Sequence, residues 1–244
     1  MNIRKIFYII VTISLTLLLP PRVFAECIVG DRNSCFVDLN KDKEIKILFI
    51  GDSFIKGVGD INNTGGYVSR LKKDFKANFK KVNVVKIARP GRTTKEVFTY
   101  IKQNIYKNKN ILSKIHDTDA IILDVGRNDY WGKQSPLYSI TVLKRLVKFL
   151  KQNCGSKRKP FVTASTLIHV ANSKPAQLNF VKQFNYELLK NPLITGEILQ
   201  HTFPTTILGD DGLHPTPLGY TYIYKQVKEQ MFTSLYNIMK LKEK

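Results

Sequence analysis

Apolar positions along the chain change their spacing in a regular order from residue 46 onward. Short apolar runs of strand length alternate with longer stretches in which apolar residues recur every three or four positions. The strand-like runs are 46–50, 82–88, 120–125, 160–165 and 205–208. The helix-like stretches are 66–80, 93–106, 137–153, 176–189 and 218–241. This alternation predicts an α/β fold, with a parallel sheet and helices on both of its faces.

One domain accounts for all of these elements, because no repeat, low-complexity tract or long linker divides residues 46–244. Residues 26–45 form a polar lead-in segment whose structure the pattern does not predict. Residues 1–25 have the layout of a secretory signal peptide: a basic start, an apolar run of 14 residues and small residues up to Ala25. We expect cleavage after Ala25 and a secreted or periplasmic protein. The alternative is an uncleaved N-terminal anchor.

The formal net charge of +20 is unusual for a chain whose composition is otherwise ordinary. Loss of Arg4, Lys5 and Arg22 with the signal peptide would leave +17. Such a charge suits a nucleic acid, an anionic membrane or an acidic polymer. However, the 30 lysines are scattered and outnumber the 9 arginines, whereas nucleic-acid sites favour arginine. We therefore expect no nucleic-acid partner and favour compositional drift, while peripheral contact with an anionic cell envelope stays open.

The three cysteines predict one small disulfide and no metal site. A bridge persists outside the cytoplasm, and Cys27 and Cys35 lie eight positions apart in a turn-rich segment. Cys154 is left over as a structural or free thiol. None of the three has a partner at zinc-ligand spacing. We also expect no cofactor, because Gly57-Val58-Gly59 completes no dinucleotide fingerprint and Lys56-Gly57 completes no phosphate loop.

Reactive side chains follow several of the predicted strands at the point where each strand ends. Ser53 follows the first strand, and Asn128 follows the third. Gly91 follows the second strand, and the pair Asp211 and His214 follows the fifth. Ligands of open parallel sheets bind beyond the carboxyl ends of the strands, so these turns are expected to meet at one edge. The sequence therefore predicts one site that is assembled from distant segments.

The residue types at these strand ends fit nucleophilic catalysis. Serine is a weak nucleophile until a base takes its proton, and the base must be held by a third group. His214 would be the base for Ser53, since an imidazole titrates near neutral pH, and Asp211 would orient it. Acyl transfer also needs donors for the oxyanion. The backbone N–H groups of Ser53 and Gly91 and the side-chain amide of Asn128 would supply them.

Each of these residues also has a purely structural interpretation. Asp52 and Ser53 would cap a helix that starts near Phe54, and His214 would cap the helix after it. Asp210 competes with Asp211 for the role of orienting carboxylate, although the spacing favours Asp211. The remaining histidines have no such partners, and we expect structural or surface roles for them: His116, His169 and His201.

Four blocks of the sequence resemble the SGNH/GDSL hydrolase family. They are Gly51-Asp52-Ser53, Gly91, Gly126-Arg127-Asn128-Asp129 and Asp211-Gly212-Leu213-His214-Pro215. The resemblance runs from residue 46 to the last helix. It implies a flavodoxin-like three-layer α/β/α sandwich whose five-stranded parallel sheet has the order 2-1-3-4-5. It also implies metal-free hydrolysis of carboxylic esters or thioesters through an acyl-enzyme on Ser53, with the triad and oxyanion donors named above.

Residues beside the four blocks bear on the substrate. Three arginines would suit an anionic substrate, although we favour the alternative that they point into solvent: Arg89, Arg92 and Arg127. Three aromatic residues would form an acyl-binding wall or else belong to the core: Tyr130, Trp131 and Tyr138. The chain is barely longer than its predicted elements need, so we expect no large lid. Short acyl groups should therefore enter more easily than long ones.

The expected activity is that of a GDSL-type esterase or lipase, with an acyl lipid, a short-chain ester or an acylated glycan as substrate. Two alternatives stay open. The chain would be an O-acyl transferase or deacetylase of envelope polysaccharide if the acyl group passed to or from a sugar. It would be a catalytically inactive envelope-binding module if it used only its basic surface.

Overall fold

The computed structural model describes residues 27–31, 34–37, 42–61, 65–78, 81–155, 159–168, 174–191, 197–198 and 205–229. The predicted signal peptide lies outside this part of the chain. None of the helices in the described ranges has the length and hydropathy that a membrane span requires.

Two short strands, β1 (Cys27–Asp31) and β2 (Ser34–Val37), pair antiparallel as a separate two-stranded sheet. They fall in the lead-in segment, for which the sequence predicted no structure. The side chains of Cys27 and Cys35 lie outside the described part of the molecule, so their disulfide stays a prediction. Cys154 is a buried free thiol.

The central sheet has five parallel strands, four of full length and one of two residues. They are β3 (Ile45–Gly51), β4 (Val82–Ala88), β5 (Ala120–Asp124), β6 (Phe161–Ser165) and β7 (Glu197–Ile198). Their order in the sheet is β4-β3-β5-β6-β7, and every pair is parallel. This is the predicted order 2-1-3-4-5, which is thereby confirmed.

Helices connect these strands and cover both faces of the sheet. In the described ranges they are α1 (Ser53–Lys56), α2 (Gly66–Asn78), α3 (Thr94–Asn104), α4 (Lys109–Ile115), α5 (Arg127–Trp131), α6 (Pro136–Asn153), α7 (Pro175–Leu189) and α8 (217–229). Buried side chains of α1, α2 and α8 form one apolar cluster, and those of α3, α4, α6 and α7 form the other. The predicted three-layer sandwich is therefore confirmed.

The central position of β3 follows from its apolar residues. Ile47 and Phe49 belong to the cluster with α2 and α8, whereas Leu48 and Ile50 belong to the cluster on the opposite face. Successive side chains of a strand point to opposite faces, so a strand that is apolar at every position needs cover on both sides. The buried strand β5 satisfies the same condition, which places both strands in the middle of the sheet.

The fifth strand does not lie where the pattern predicted it. Residues 205–208 were expected to be a strand, but Thr205–Ile207 form a 3₁₀ helix and Leu208 makes an isolated antiparallel bridge with Pro215. The strand beside β6 is β7 instead. Ile207 is buried in the cluster that contains α8. The apolar residues at 205–208 thus indicated only that part of the segment is buried. Buried apolar residues occur in tight turns as well as in strands, so the pattern did not distinguish the two.

Where the described ranges include them, the helix boundaries agree with the pattern to within a few residues, whereas the predicted end of the last helix at 241 lies outside those ranges. Helix α3 begins with a capping box: Thr93 Oγ1 accepts the Glu96 N–H at 3.3 Å, and the Glu96 carboxylate accepts the Thr93 N–H at 2.9 Å. The sequence did not predict α4 and α5, because helices of seven and five residues carry too little periodicity.

Candidate active site

Three strands of the sheet end side by side, and this register assembles the site. Gly51, the last residue of β3, pairs with Ala88 at the end of β4 and with Asp124 at the end of β5. The residues that follow these three positions therefore share the carboxyl edge of the sheet. They are Asp52-Ser53, the turn 89–92 and the segment 126–128.

Ser53 begins the one-turn helix α1, and only 8% of its surface is exposed. Asp52 Oδ1 accepts the Phe54 N–H at 3.0 Å, so Asp52 caps this helix as its structural interpretation predicted. Gly57 ends the helix with a φ of 89°, and a side chain there would lie 2.1 Å from the backbone N of Gly66. Asp52 therefore supplies the side-chain cap of α1, and Ser53 is the first residue of this helix.

His214 is held by Asp211, as the sequence predicted. Its Nδ1 lies 2.6 Å from Asp211 Oδ2, and Asp211 Oδ1 accepts the backbone N–H groups of Leu213 and His214 at 2.9 Å each. Burial opposes ionisation of Asp211, but the hydrogen bonds from His214 and from the two backbone N–H groups outweigh it and lower its pKa to about 2. Asp211 is therefore an ionised acceptor that fixes the imidazole, and Asp210 does not take this role.

The loop that carries His214 packs against the turn that carries Ser53. The His214 ring lies 6.3 Å from the ring of Phe54, measured between centroids. A side chain at Gly59 would lie 2.7 Å from the Pro215 carbonyl oxygen and 3.3 Å from His214 Cβ. In addition, the Tyr220 hydroxyl donates to the Val58 carbonyl at 2.8 Å. These contacts bring together the serine and the histidine, which are 161 positions apart in the chain.

Asn128 connects the other two strand ends to the serine turn. Its Nδ2 lies 3.2 Å from the Arg92 carbonyl oxygen and 3.4 Å from Asp52 Oδ2. Gly91 has a φ of 70°, in a turn that is closed by the Arg92 N–H donating to the Arg89 carbonyl at 3.2 Å. Among the described residues, only Gly91 itself and its chain neighbours have atoms within 4 Å of the place where a Gly91 side chain would begin. The space beside this turn is therefore open.

Arg127 lies inside the molecule, which corrects the expectation that the three arginines point into solvent. Its side chain is 9% exposed, and its Nη1 donates to Asp124 Oδ1 at 2.6 Å and lies 3.7 Å from Asp52 Oδ2. Its guanidinium lies 3.9 Å from the centre of the Phe54 ring. The other oxygen of Asp124 accepts the Tyr67 hydroxyl at 2.8 Å. A buried network of charged and polar groups thus lies beneath the serine.

Arg89 and Arg92 lie apart from this network. The Arg89 guanidinium lies 4.0 Å from the centre of the Tyr100 ring on α3. Arg92 is half exposed and pairs with Glu96 at 2.9 Å. The three arginines therefore do not form the cationic cluster that an anionic substrate would need.

In contrast to that of Asp211, the pKa of Asp52, beside Ser53, is raised. Burial raises its pKa to about 6, and the charge of Asp124 adds to this shift, whereas Arg127, the Phe54 N–H and His214 oppose it. The ionisable groups that interact with Asp52 come from five elements: Arg127, Asp124, His214, Tyr67 and Tyr220. Near pH 7 the carboxyl group of Asp52 is thus mostly ionised although it is buried.

A family model of the GDSL-like lipase/acylhydrolases matches residues 47–227, which is most of the chain. The chain belongs to this family. It is therefore a carboxylic ester hydrolase of the GDSL type, as the four sequence blocks predicted. No curated protein matches the chain closely enough in sequence to count as a relative.

Solved structures with the same fold include three GDSL or esterase proteins. The esterase EstA of Pseudoalteromonas sp. has a TM-score of 0.59 at 15% identity, over 79% of this chain and 99% of EstA. A lipase/acylhydrolase of Enterococcus faecalis has a TM-score of 0.56 at 19% identity, over 76% and 94% of the two chains. A G-D-S-L family protein of Veillonella parvula has a TM-score of 0.58 at 19% identity, over 76% and 97%. These likenesses support the shared fold.

The GDSL hydrolase has an apolar groove beside Ser53. Including its open mouth, the groove has a volume of about 530 Å³. Its walls come from the serine turn, α5, the segment after β6, α7 and the loop of His214, and include Phe54, Tyr130, Trp131, Leu167, Phe180 and Leu213. Two members of the predicted aromatic wall thus line the groove, and Trp131 remains 56% exposed at its edge. Tyr138, the third member, is exposed elsewhere.

The remaining predictions about single residues concern the other histidines and metal ligands. His116 lies at the surface, where its Nδ1 contacts Asp117. This agrees with a surface role. His169 and His201 lie outside the described residues. Within the described ranges, no group of three His, Cys, Asp or Glu side chains is placed to hold a metal ion.

The sequence analysis missed Asp124 and Tyr67 and did not assign a contact to Asp129. Asp124 and Tyr67 hold Arg127 in the buried network. Asp129 Oδ1 accepts the Thr94 N–H at 2.6 Å and so joins α5 to the start of α3. An acidic residue at the end of the otherwise apolar strand β5 was the one available signal for Asp124.

Exchange of Asp52 for asparagine should change how the stability depends on pH. The folded pKa of Asp52 is about 6, above the value of about 3.9 that is usual in an unfolded chain. The unfolded state therefore releases its proton first, and stability contributed by Asp52 declines between about pH 4 and pH 6. We expect the unfolding free energy of the wild type, minus that of Asp52→Asn, to decline over this range in urea titrations.

Asp211→Asn is the matched control for this titration. The pKa of Asp211 is lowered to about 2, so its stabilising contribution is lost only below about pH 4. The difference between the wild type and Asp211→Asn should be nearly flat between pH 4 and pH 6. A flat or rising difference for Asp52→Asn over this range would show that burial does not raise the pKa of Asp52.

Proposed function

We propose that this GDSL hydrolase cleaves carboxylic esters, and also thioesters, through an acyl-enzyme on Ser53. Ser53 is the nucleophile, His214 the general base and Asp211 the residue that orients His214. The backbone N–H groups of Ser53 and Gly91 and the Asn128 amide bind the oxyanion. The observation that carries the proposal is the Asp211–His214 pair at 2.6 Å, on a loop that packs against the Ser53 turn.

The geometry supports a defined path for the proton. Asp211 accepts the Nδ1–H of His214, which leaves Nε2 unprotonated and able to take the proton of the Ser53 hydroxyl. As Ser53 Oγ bonds to the carbonyl carbon, His214 becomes an imidazolium, which ionised Asp211 stabilises. His214 then gives the proton to the departing alkoxide or thiolate. In the second half, a water attacks the acyl carbon, and His214 takes the proton of this water. The bond between the acyl carbon and Ser53 Oγ then breaks, the carboxylic acid leaves, and His214 returns the proton to Ser53 Oγ.

Among the three proposed oxyanion donors, the Asn128 amide is already in contact with other groups. The two contacts of Asn128 Nδ2 are 3.2 Å to Arg92 and 3.4 Å to Asp52, and the second is long for a hydrogen bond. A developing oxyanion is a stronger acceptor than either partner, and contacts of this kind often tighten only in the reacting complex. We therefore assign the longer contact, to Asp52, as the one that the oxyanion replaces.

The apolar groove beside Ser53 would hold the acyl chain of the substrate. Its lining is mostly apolar and aromatic but also includes Arg127 and Gln177. Phe180 and Val181 of α7 form part of its wall. Phe180 is itself packed against Tyr130 and Phe184, so this wall is firm. Because Phe180 forms part of this wall, we expect its ring to limit the room for long acyl chains and so to favour short ones. The substrate class is accordingly an ester or thioester of a short acyl chain.

We also propose that the protein works outside the cytoplasm, as a secreted or periplasmic enzyme. The support is the order of basic, apolar and small residues in 1–25 and the predicted cleavage after Ala25. The charge of +17 that cleavage would leave also favours peripheral contact with an anionic envelope. N-terminal sequencing of the protein from its native host tests this; a chain that retains residues 1–25 would contradict cleavage.

Ser53→Ala should abolish turnover of a p-nitrophenyl ester, because no other group takes over the attack on the carbonyl. The same exchange should abolish labelling by a fluorophosphonate, a reagent class chosen because EstA of Pseudoalteromonas is described as inhibited by monoethylphosphonate. Ser139→Ala, which removes a buried hydroxyl from α6, is the matched control and should keep both properties. Labelling that survives in Ser53→Ala would contradict the acyl-enzyme.

The same experiments distinguish the two alternative functions. A wild type that is never labelled would favour a binding module, and acylated sugar among the products would favour a transferase.

The acyl-chain preference should respond to Phe180. Across p-nitrophenyl esters from acetyl to palmitoyl, we expect the wild type to prefer the short chains. Phe180→Leu should widen the groove and raise kcat/KM for decanoyl relative to acetyl by roughly 10-fold. Tyr186→Leu changes an exposed ring on the same helix and should leave the preference unchanged. An unaltered chain-length profile in Phe180→Leu would show that the acyl chain binds elsewhere.

A further inference from the structure

We propose that Arg127 is a positioning residue of the oxyanion site that acts through Asp52. By compensating the charge of the Asp52 carboxylate, Arg127 allows the Asn128 amide to leave Asp52 for the oxyanion. The proposal rests on the function proposed above and adds a residue that does not touch the reacting atoms. Arg127 occupies the second position of the Gly126-Arg127-Asn128-Asp129 segment, immediately before the oxyanion donor.

One oxygen of Asp52 connects Arg127 to Asn128. Asp52 Oδ2 lies 3.4 Å from Asn128 Nδ2 and 3.7 Å from Arg127 Nη1, while Oδ1 is occupied by the Phe54 N–H. The amide and the guanidinium therefore compete for the same acceptor. The more of the Asp52 charge the guanidinium neutralises, the more weakly Asp52 holds the amide. Arg127 thus controls whether the oxyanion can take the place of Asp52.

The charges beneath the site make this compensation necessary. Asp52 and Asp124 are fully buried, and Ser53 is the next residue after Asp52. A carboxylate at this depth is poorly screened by water, so its field opposes a second negative charge that develops nearby. In the described part of the molecule, Arg127 is the cation that pairs with both carboxylates. Its positive charge offsets the field that the oxyanion would otherwise meet.

The contacts of Arg127 favour this role over binding of an anionic substrate. Its guanidinium is held by Asp124 at 2.6 Å and by the face of the Phe54 ring, and Tyr67 fixes Asp124 in turn. Asp52 and Asp124 both partly neutralise its positive charge. A guanidinium that is held between two carboxylates attracts an anionic substrate only weakly, but it is well placed to balance the negative charge of the residue beside the nucleophile.

The test is a double-mutant cycle on Arg127 and Asp52, read as kcat per active site. Arg127→Gln, Asp52→Asn and the double variant are compared with the wild type, with a p-nitrophenyl ester at pH 8. Active sites are counted by fluorophosphonate labelling, so that misfolded protein does not enter kcat. Arg127→Lys keeps the positive charge without the planar fork. Arg145→Met removes an exposed arginine from α6 and is the control for net charge.

We expect Arg127→Gln to lower kcat per site by roughly 10- to 100-fold, with KM changed less than about threefold, because the interaction matters mainly when the oxyanion forms. In the Asp52→Asn background there is no charge to compensate, so the same exchange should lower kcat less than about threefold. Arg127→Lys should recover most of the loss, and Arg145→Met should match the wild type.

Several results would overturn the proposal. One is a kcat per site in Arg127→Gln that equals that of the wild type. Another is an equal loss of kcat in both backgrounds, which would show that Arg127 does not act through Asp52. A rise in KM at unchanged kcat would make Arg127 a substrate-binding residue instead. If Arg127→Gln yields no labelled protein, the test uses the double variant instead. A kcat of the double variant far below that of Asp52→Asn would then contradict the proposal that Arg127 compensates the charge of Asp52. Failure of the wild type to be labelled at Ser53 would overturn the proposed function and this proposal together.

Discussion

The parallel register of β4, β3 and β5 is the constraint on which the site depends. Because Gly51 pairs with both Ala88 and Asp124, the three strands end at the same level. The serine turn, the Gly91 turn and the Asn128 segment are then neighbours, and the contacts of Asn128 with Asp52 and Arg92 join them. A slip of one residue in β3 would turn its apolar side chains to the wrong faces, so the two cores that hold the sheet also hold the site.

Around this edge, the molecule keeps two carboxylates in different states. Asp211 is partly exposed and receives three hydrogen bonds, which keep its pKa near 2 and make it a firm anchor for His214. Asp52 is buried, and its pKa of about 6 reflects that burial. An unpaired charge in such a place is strongly destabilising, and Arg127 supplies the pairing. The side chains beneath Ser53 therefore form a buried ion network rather than an apolar core.

The short motifs predicted which segments meet at the carboxyl edge of the sheet, because the side chains that the proposed chemistry needs are of particular types and follow strand ends. The sheet order followed from apolar strands that need cover on both faces. The predictions that were wrong concern local structure. Residues 205–208 are apolar because Ile207 is buried, not because they form a strand. The inward direction of Arg127 depends on Asp124 and Tyr67, which come from β5 and α2, and no pattern within one segment reveals such a meeting.

A crystal structure of the protein after reaction with an organophosphonate tests most directly that these strand ends form one acyl-transfer site. The account predicts phosphorus bonded to Ser53 Oγ, with its oxygen about 3 Å from the Gly91 N–H and the Asn128 amide, and His214 beside the serine oxygen. Phosphorus bonded to another residue, or an oxygen that faces away from Gly91 and Asn128, would contradict it.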